Sequence, residues 1–109
     1  MNLISRDELK EKLDRGDNFK LLMVMGEWAY KAQHIPGSIN MNRIEDAATL
    51  DKDEEIVVYC TGGPCIASRA AYTYLTENGF TNVRRYAGGL EEWVESGYPV
   101  EGEMVESAG

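Results

Sequence analysis

Ile56-Val57-Val58-Tyr59 runs directly into Cys60-Thr61-Gly62-Gly63-Pro64-Cys65, and from about Ile66 to Asn78 the chain reads as helical. Four consecutive apolar residues, with the acidic run Asp51–Glu55 before them and a glycine-rich loop after, read as a buried strand. On the helix that follows, Ala67, Ala70, Ala71, Tyr74 and Leu75 keep the i, i+3, i+4, i+7, i+8 spacing of a face turned toward a core, and Gly79 ends it. A thiol therefore stands at the carboxyl end of a strand, beside a helix N-terminus. In parallel α/β sheets that is where ligands gather.

Working outward, strands and helices alternate along the whole chain. Ser5 caps a first helix, Glu8 closes a capping box, Ile4 staples against Leu9, and Gly16 supplies the stop. Lys20–Met25 is an apolar run of strand length, Glu27–Gln33 a short helix halted by His34-Ile35-Pro36-Gly37, and Ser38–Asn40 a brief strand. Asn42–Thr49 reads as one or two helical turns and Asp51–Glu55 as a solvated turn. After the central helix, Asn82–Tyr86 is a strand, Gly88-Gly89 a turn and Leu90–Ser96 a helix stopped by Gly97. The alternation predicts an α/β domain with a mostly parallel sheet. One domain over residues 1–100 is expected, with a tail over 101–109 that frays.

Composition narrows the function classes. The chain has 109 residues, with 11 Lys+Arg against 19 Asp+Glu and a net charge of −8. That balance argues against a nucleic-acid or anionic-membrane partner. No apolar run approaches the roughly 18 residues that span a bilayer, and MNLISRDELK is no signal peptide. Two cysteines and one histidine make neither a disulfide scaffold nor a zinc set, so no metal is expected. A cytoplasmic domain is the expectation.

Gly62 and Gly63 allow consecutive N–H groups to curl into an anion-holding nest, and the following helix adds the positive end of its dipole. Both favour thiolate over thiol at Cys60. Two readings of the loop stay open on these grounds: an activated sulfur nucleophile, or a buried structural cysteine before a glycine turn.

The chain resembles single-domain rhodanese-like proteins over nearly its full length. The resemblance rests on His34-Ile35-Pro36-Gly37-Ser38-Ile39-Asn40, Ile56–Cys60, Ser68 with Ala71, Gly79-Phe80 with Asn82-Val83, and Gly88-Gly89 with Trp93 and Gly97-Tyr98-Pro99. It implies a three-layer rhodanese-like α/β fold with a five-stranded, mostly parallel sheet flanked by helices. It implies sulfurtransferase activity through a Cys60 persulfide, with Thr61, Gly62, Gly63, Pro64, Cys65, Ile66, Ala67 and Arg69 around the substrate. Sulfane sulfur would pass from a thiosulfate- or persulfide-type donor to a thiol or cyanide acceptor by covalent catalysis, with no cofactor. The implied partner is a small sulfur donor or a protein persulfide or thiol, and the implied state a monomer or weak dimer.

The sequence departs from the family in three places. The usual strand-one Asp-Val-Arg is Met23-Val24-Met25 here, and the Glu that often precedes the aromatic at Tyr30 is Ala29, a coordinated apolar replacement. Seven residues separate Cys60 from Ser68, more than is usual. In the related arsenate reductases and cell-cycle phosphatases an Arg closes the loop, and the matching slot here holds Ile66, which argues against phosphatase activity. The loop also carries Cys65, read either as a resolving thiol or as a small residue under the helix start. The alternative to an enzyme is a non-catalytic binding or redox-sensing module using Cys60 and Cys65.

Other residues read as structural. His34 belongs to a turn, Trp93 packs the last helix on the sheet, and Trp28 has no periodic place. Ser68 reads as a helix-start residue, Tyr72 lies off the core stripe near the site, and Arg84-Arg85 reads as strand-end surface charge.

Overall fold

The computed structural model describes residues 1–43, 45, 49–62 and 66–103. Ser5 caps α1 (Arg6–Arg15): its hydroxyl accepts from the Glu8 N–H at 3.2 Å, and Gly16 closes the helix at φ 72°. The reciprocal half of the capping box is not used. Glu8 instead pairs with Arg84 at 2.6 Å, tying the helix to the sheet. Lys20–Met23 forms β1, Glu27–Ala32 α2 and Ile39–Asn40 β2. Then follow β3 (Ile56–Tyr59), α3 (Ile66–Glu77), β4 (Val83–Arg85) and α4 (Gly89–Glu95). Of the segment Asn42–Thr49, where helical turns are expected, residues 44 and 46–48 lie outside the described residues.

The strands pair in parallel in the order β2-β1-β3-β4. β1 and β3 are interior, which is why their sequences are apolar on both faces. Among the described residues the sheet has four strands, not the expected five. The fifth place holds a single parallel bridge between Leu3 and Arg85, with Arg85 N–H donating to the Asn2 carbonyl and Ile4 N–H to the Arg85 carbonyl. It stays one bridge long because the chain enters the Ser5 cap directly after Ile4.

Two cores follow from the period of two along each strand. Leu21 and Met23 of β1 and Val57 and Tyr59 of β3 face Leu9, Leu90 and Trp93 of the helices on one side. Leu22, Ile56, Val58 and Val83 face Ala71 and Leu75 of α3 on the other. Of the predicted α3 stripe, Ala71 and Leu75 are buried, while Ala67, Ala70 and Tyr74 are half-buried. Trp93 is wholly buried and its Nε1 donates to the Pro99 carbonyl. Past Val100 the chain remains attached for a few residues. His34 and Glu101 exchange backbone hydrogen bonds of 2.8 and 2.9 Å, and Glu103 N–H donates to the Lys31 carbonyl. Among the described residues no helix is long and apolar enough to cross a membrane.

Candidate active site at the end of the third strand

The strand order makes the chain step from β1 to one side and then, after β2, to the other. The carboxyl ends of β1 and β3 therefore flank a topological switch point, the crevice where such sheets take ligands. Val24, Met25 and Gly26 leave β1 there, and Cys60 and Thr61 leave β3.

Cys60 continues the alternation of β3, so its side chain falls on the α3 side. It is 2% exposed, and its Sγ lies 3.6 Å from Ser68 Oγ in the first turn of α3. Cys60 is disulfide-bonded. The chain's one other cysteine, Cys65, lies outside the described residues with Gly63 and Pro64.

The start of the loop is clamped by α4. Leu90 N–H donates to the Cys60 carbonyl at 2.9 Å and Glu91 N–H to the Thr61 carbonyl at 2.7 Å. This contact requires glycine on both sides. A Cβ on Gly89, whose φ is 68°, would meet Gly62 Cα and N at 2.6 Å. A Cβ on Gly62, whose φ is 142°, would meet the Gly88 carbonyl at 2.9 Å. The Gly88-Gly89 turn is thus the seat of the cysteine loop, a role its sequence does not disclose.

Thr61 and Arg69 are exposed, and Ile66 is 79% exposed. Ala67 lines a cleft of about 310 Å³ with Val24, Met25, Gly26, Met41 and Asn42. Where the family's strand-one base would stand, Met25 packs against the core, so the replacement is apolar and filled. A larger hollow of about 460 Å³ lies between the N-terminal residues and Tyr86–Gly88, and it opens on the α1 side of the sheet, away from Ser68.

Arg84 and Arg85 are not both surface charges. Arg84 reaches Glu8, whereas Arg85 is 5% exposed and its Nε donates to Ser68 Oγ at 2.9 Å. Burial, and then the like charge of Arg69, push the Arg85 guanidinium below the usual arginine value. The signal was the period of β4: Val83 faces α3, so Arg85 two residues on must do so as well. The Tyr72 hydroxyl accepts from the Asn2 N–H at 2.8 Å. His34 is held in its turn, stacked on Tyr30 at 3.9 Å, with Nδ1 2.7 Å from the Tyr30 carbonyl. Among the described residues no group of three or more His, Cys, Asp or Glu is placed to hold a metal ion.

A parallel α/β domain with a cysteine loop seated at its switch point defines a class, and comparison with known proteins gives the family. Residues 5–96 match the rhodanese-like domain model, and the chain belongs to that family. It is 36% identical over 101 residues to an HTH-type transcriptional regulator of Mycobacterium tuberculosis, covering 90% of this chain and 44% of the relative. It is 28% identical over 110 residues to a tRNA uridine(34) hydroxylase of Photorhabdus laumondii, covering 89% of this chain and 30% of the relative. The chain therefore spans less than half the length of these curated relatives. Among solved structures, an Anabaena protein is 31% identical with a TM-score of 0.82, each chain covered to 94%. A human single-domain sulfurtransferase is 25% identical with a TM-score of 0.74, covering 87% of this chain and 96% of its own.

Proposed function

We propose that the chain is a sulfurtransferase or persulfide carrier with Cys60 as its nucleophile. One observation carries the reading: Cys60 ends an interior strand at the switch point, its sulfur near the first turn of α3. In the reduced chain, the Cys60 thiolate attacks the sulfane sulfur of a donor. The donor's S–S bond breaks, sulfite or a thiolate departs with the electron pair, and Cys60 carries a persulfide. An acceptor thiolate or cyanide then takes the outer sulfur and returns Cys60 to thiolate, so the cycle is redox-neutral. Thr61, Gly62, Gly63, Pro64, Cys65, Ile66, Ala67 and Arg69 are proposed to surround the substrate. The apolar cleft of Val24, Met25, Met41 and Ala67 supports an organic persulfide, small or protein-borne, as donor over the thiosulfate dianion. Steady-state transfer to a thiol acceptor tests this. Parallel double-reciprocal lines in the wild type and no turnover in Cys60→Ser support it; equal turnover in the two refutes it.

A second reading is favoured by the disulfide-bonded state of Cys60. A redox-responsive module would lose two electrons and two protons from Cys60 and Cys65 to a peroxide-class oxidant, forming the disulfide and releasing water. Thiols that stay free under mild peroxide eliminate that reading.

A further inference from the structure

We propose that Arg85 is a positioning residue for Cys60: its buried guanidinium fixes the Ser68 hydroxyl as a hydrogen-bond donor to the Cys60 sulfur and favours that sulfur's anionic state. This deepens the reading of Cys60 as a nucleophile and rests on it for the use made of the thiolate.

The donor directions are fixed by chemistry. A guanidinium carries donors only, so the 2.9 Å contact from Arg85 Nε occupies a lone pair of Ser68 Oγ and leaves the hydroxyl hydrogen free. The sulfur of a disulfide-bonded Cys60 has no hydrogen to give, so across the 3.6 Å contact the hydroxyl donates and the sulfur accepts. Ser68 is itself 1% exposed, and water does not compete for that hydrogen.

The electrostatics point the same way. Arg85 is 5% exposed, and among the described residues no carboxylate forms an ion pair with it. It sits against the first turn of α3, the positive end of a twelve-residue helix, and close enough to Arg69 to feel its like charge. A buried cation there is costly unless an anion accompanies it. Of the other charged groups near the loop, Glu91 on α4 points toward Gly62 and opposes a negative sulfur, while Glu92 is engaged by the Tyr86 hydroxyl. Among the described residues, the reduced Cys60 sulfur is the group hydrogen-bonded to the Arg85–Ser68 pair that can become negative.

The test is the pH profile of iodoacetamide alkylation at Cys60 in the reduced full chain, read by fragment-ion mass spectrometry. An opposite charge at close range lowers an acid's pKa by about 1–3 units, and relay through a hydroxyl takes the lower end. Arg85→Met should therefore slow alkylation at neutral pH about tenfold and move the profile about one unit upward. Arg85→Lys should keep most of the wild-type rate. Ser68→Ala should shift the profile in the same direction, with Arg85→Met adding little on top of it. An unchanged profile in folded Arg85→Met, or in Ser68→Ala, overturns the proposal; if Arg85→Met does not fold, Ser68→Ala decides alone. A chain that takes sulfur from no donor yet keeps the Arg85-dependent profile retires the sulfur-transfer reading and sustains this one. Sulfur loading with an Arg85-independent profile does the reverse.

Discussion

Replacing Gly89 by alanine puts a methyl group where the cysteine loop already lies. The new Cβ would stand 2.6 Å from Gly62 Cα and N and 2.7 Å from the Cys60 carbonyl oxygen, all backbone atoms without side-chain freedom to yield. Gly97 is the matched control. It has a similar φ, 79° against 68°, and nothing within 4 Å of its added Cβ. Alanine at Gly97 bears only the left-handed backbone, about 1–2 kcal/mol. Alanine at Gly89 adds overpacking of about 1–3 kcal/mol. It also weakens the two bonds from Leu90 and Glu91 to the loop carbonyls, each worth about 1 kcal/mol. The expected sum is about 4–7 kcal/mol if both bonds are lost, against total stabilities of about 5–15 kcal/mol. Urea unfolding of the reduced proteins measures both. Gly89→Ala should lose at least about twice the stability lost by Gly97→Ala, at an unchanged m-value. Equal losses would refute the account of how the loop is seated.

Three further perturbations test other parts of the fold. Lys12 is buried against Glu55 at 2.6 Å and above the Phe19 ring at 5.0 Å, so Lys12→Ala should cost about 2 kcal/mol in urea unfolding, through lost packing and a Glu55 left partly desolvated. The Tyr59 hydroxyl accepts from the Ile35 N–H at 3.0 Å and donates to Ser38 Oγ at 2.9 Å; Tyr59→Phe leaves that buried N–H unpaired and should cost about 1–3 kcal/mol by the same measurement. Burial pushes the Tyr59 hydroxyl up to about 12 from 10.0, so the native state holds a proton that the unfolded chain releases. Its contribution is complete below pH 10 and is lost as pH rises toward 12. The fall in urea midpoint over that window should be shallower in Tyr59→Phe.

Local chemistry announced much of this architecture. Ser5 and Gly16 bound α1, the apolar runs became the interior strands, and Gly79 and Gly97 ended their helices because each signal acts within one turn of chain. The site was legible where it depended on order alone, as for Cys60 at a strand end. It was hidden where it depended on register between distant segments. Glycine at position 89 is demanded by Gly62, and neither residue's neighbours in sequence reveal the meeting. Arg85 looks like a polar strand end until Val83 is known to face α3, and its Ser68 partner comes from a helix seventeen residues earlier. The single bridge at the sheet's fifth place has a local cause instead, since the Ser5 cap follows Ile4 directly and leaves no room for a ladder.

The proposed function turns on Cys60 receiving sulfane sulfur. The most direct measurement is the mass of the reduced chain after exposure to a low-molecular-weight persulfide and, separately, to thiosulfate, with fragment ions locating any added atom. The expected result is a gain of one sulfur on Cys60 from the persulfide, faster than from thiosulfate, and none in Cys60→Ser. A folded, reduced wild-type chain whose Cys60 gains no sulfur from either donor would contradict it.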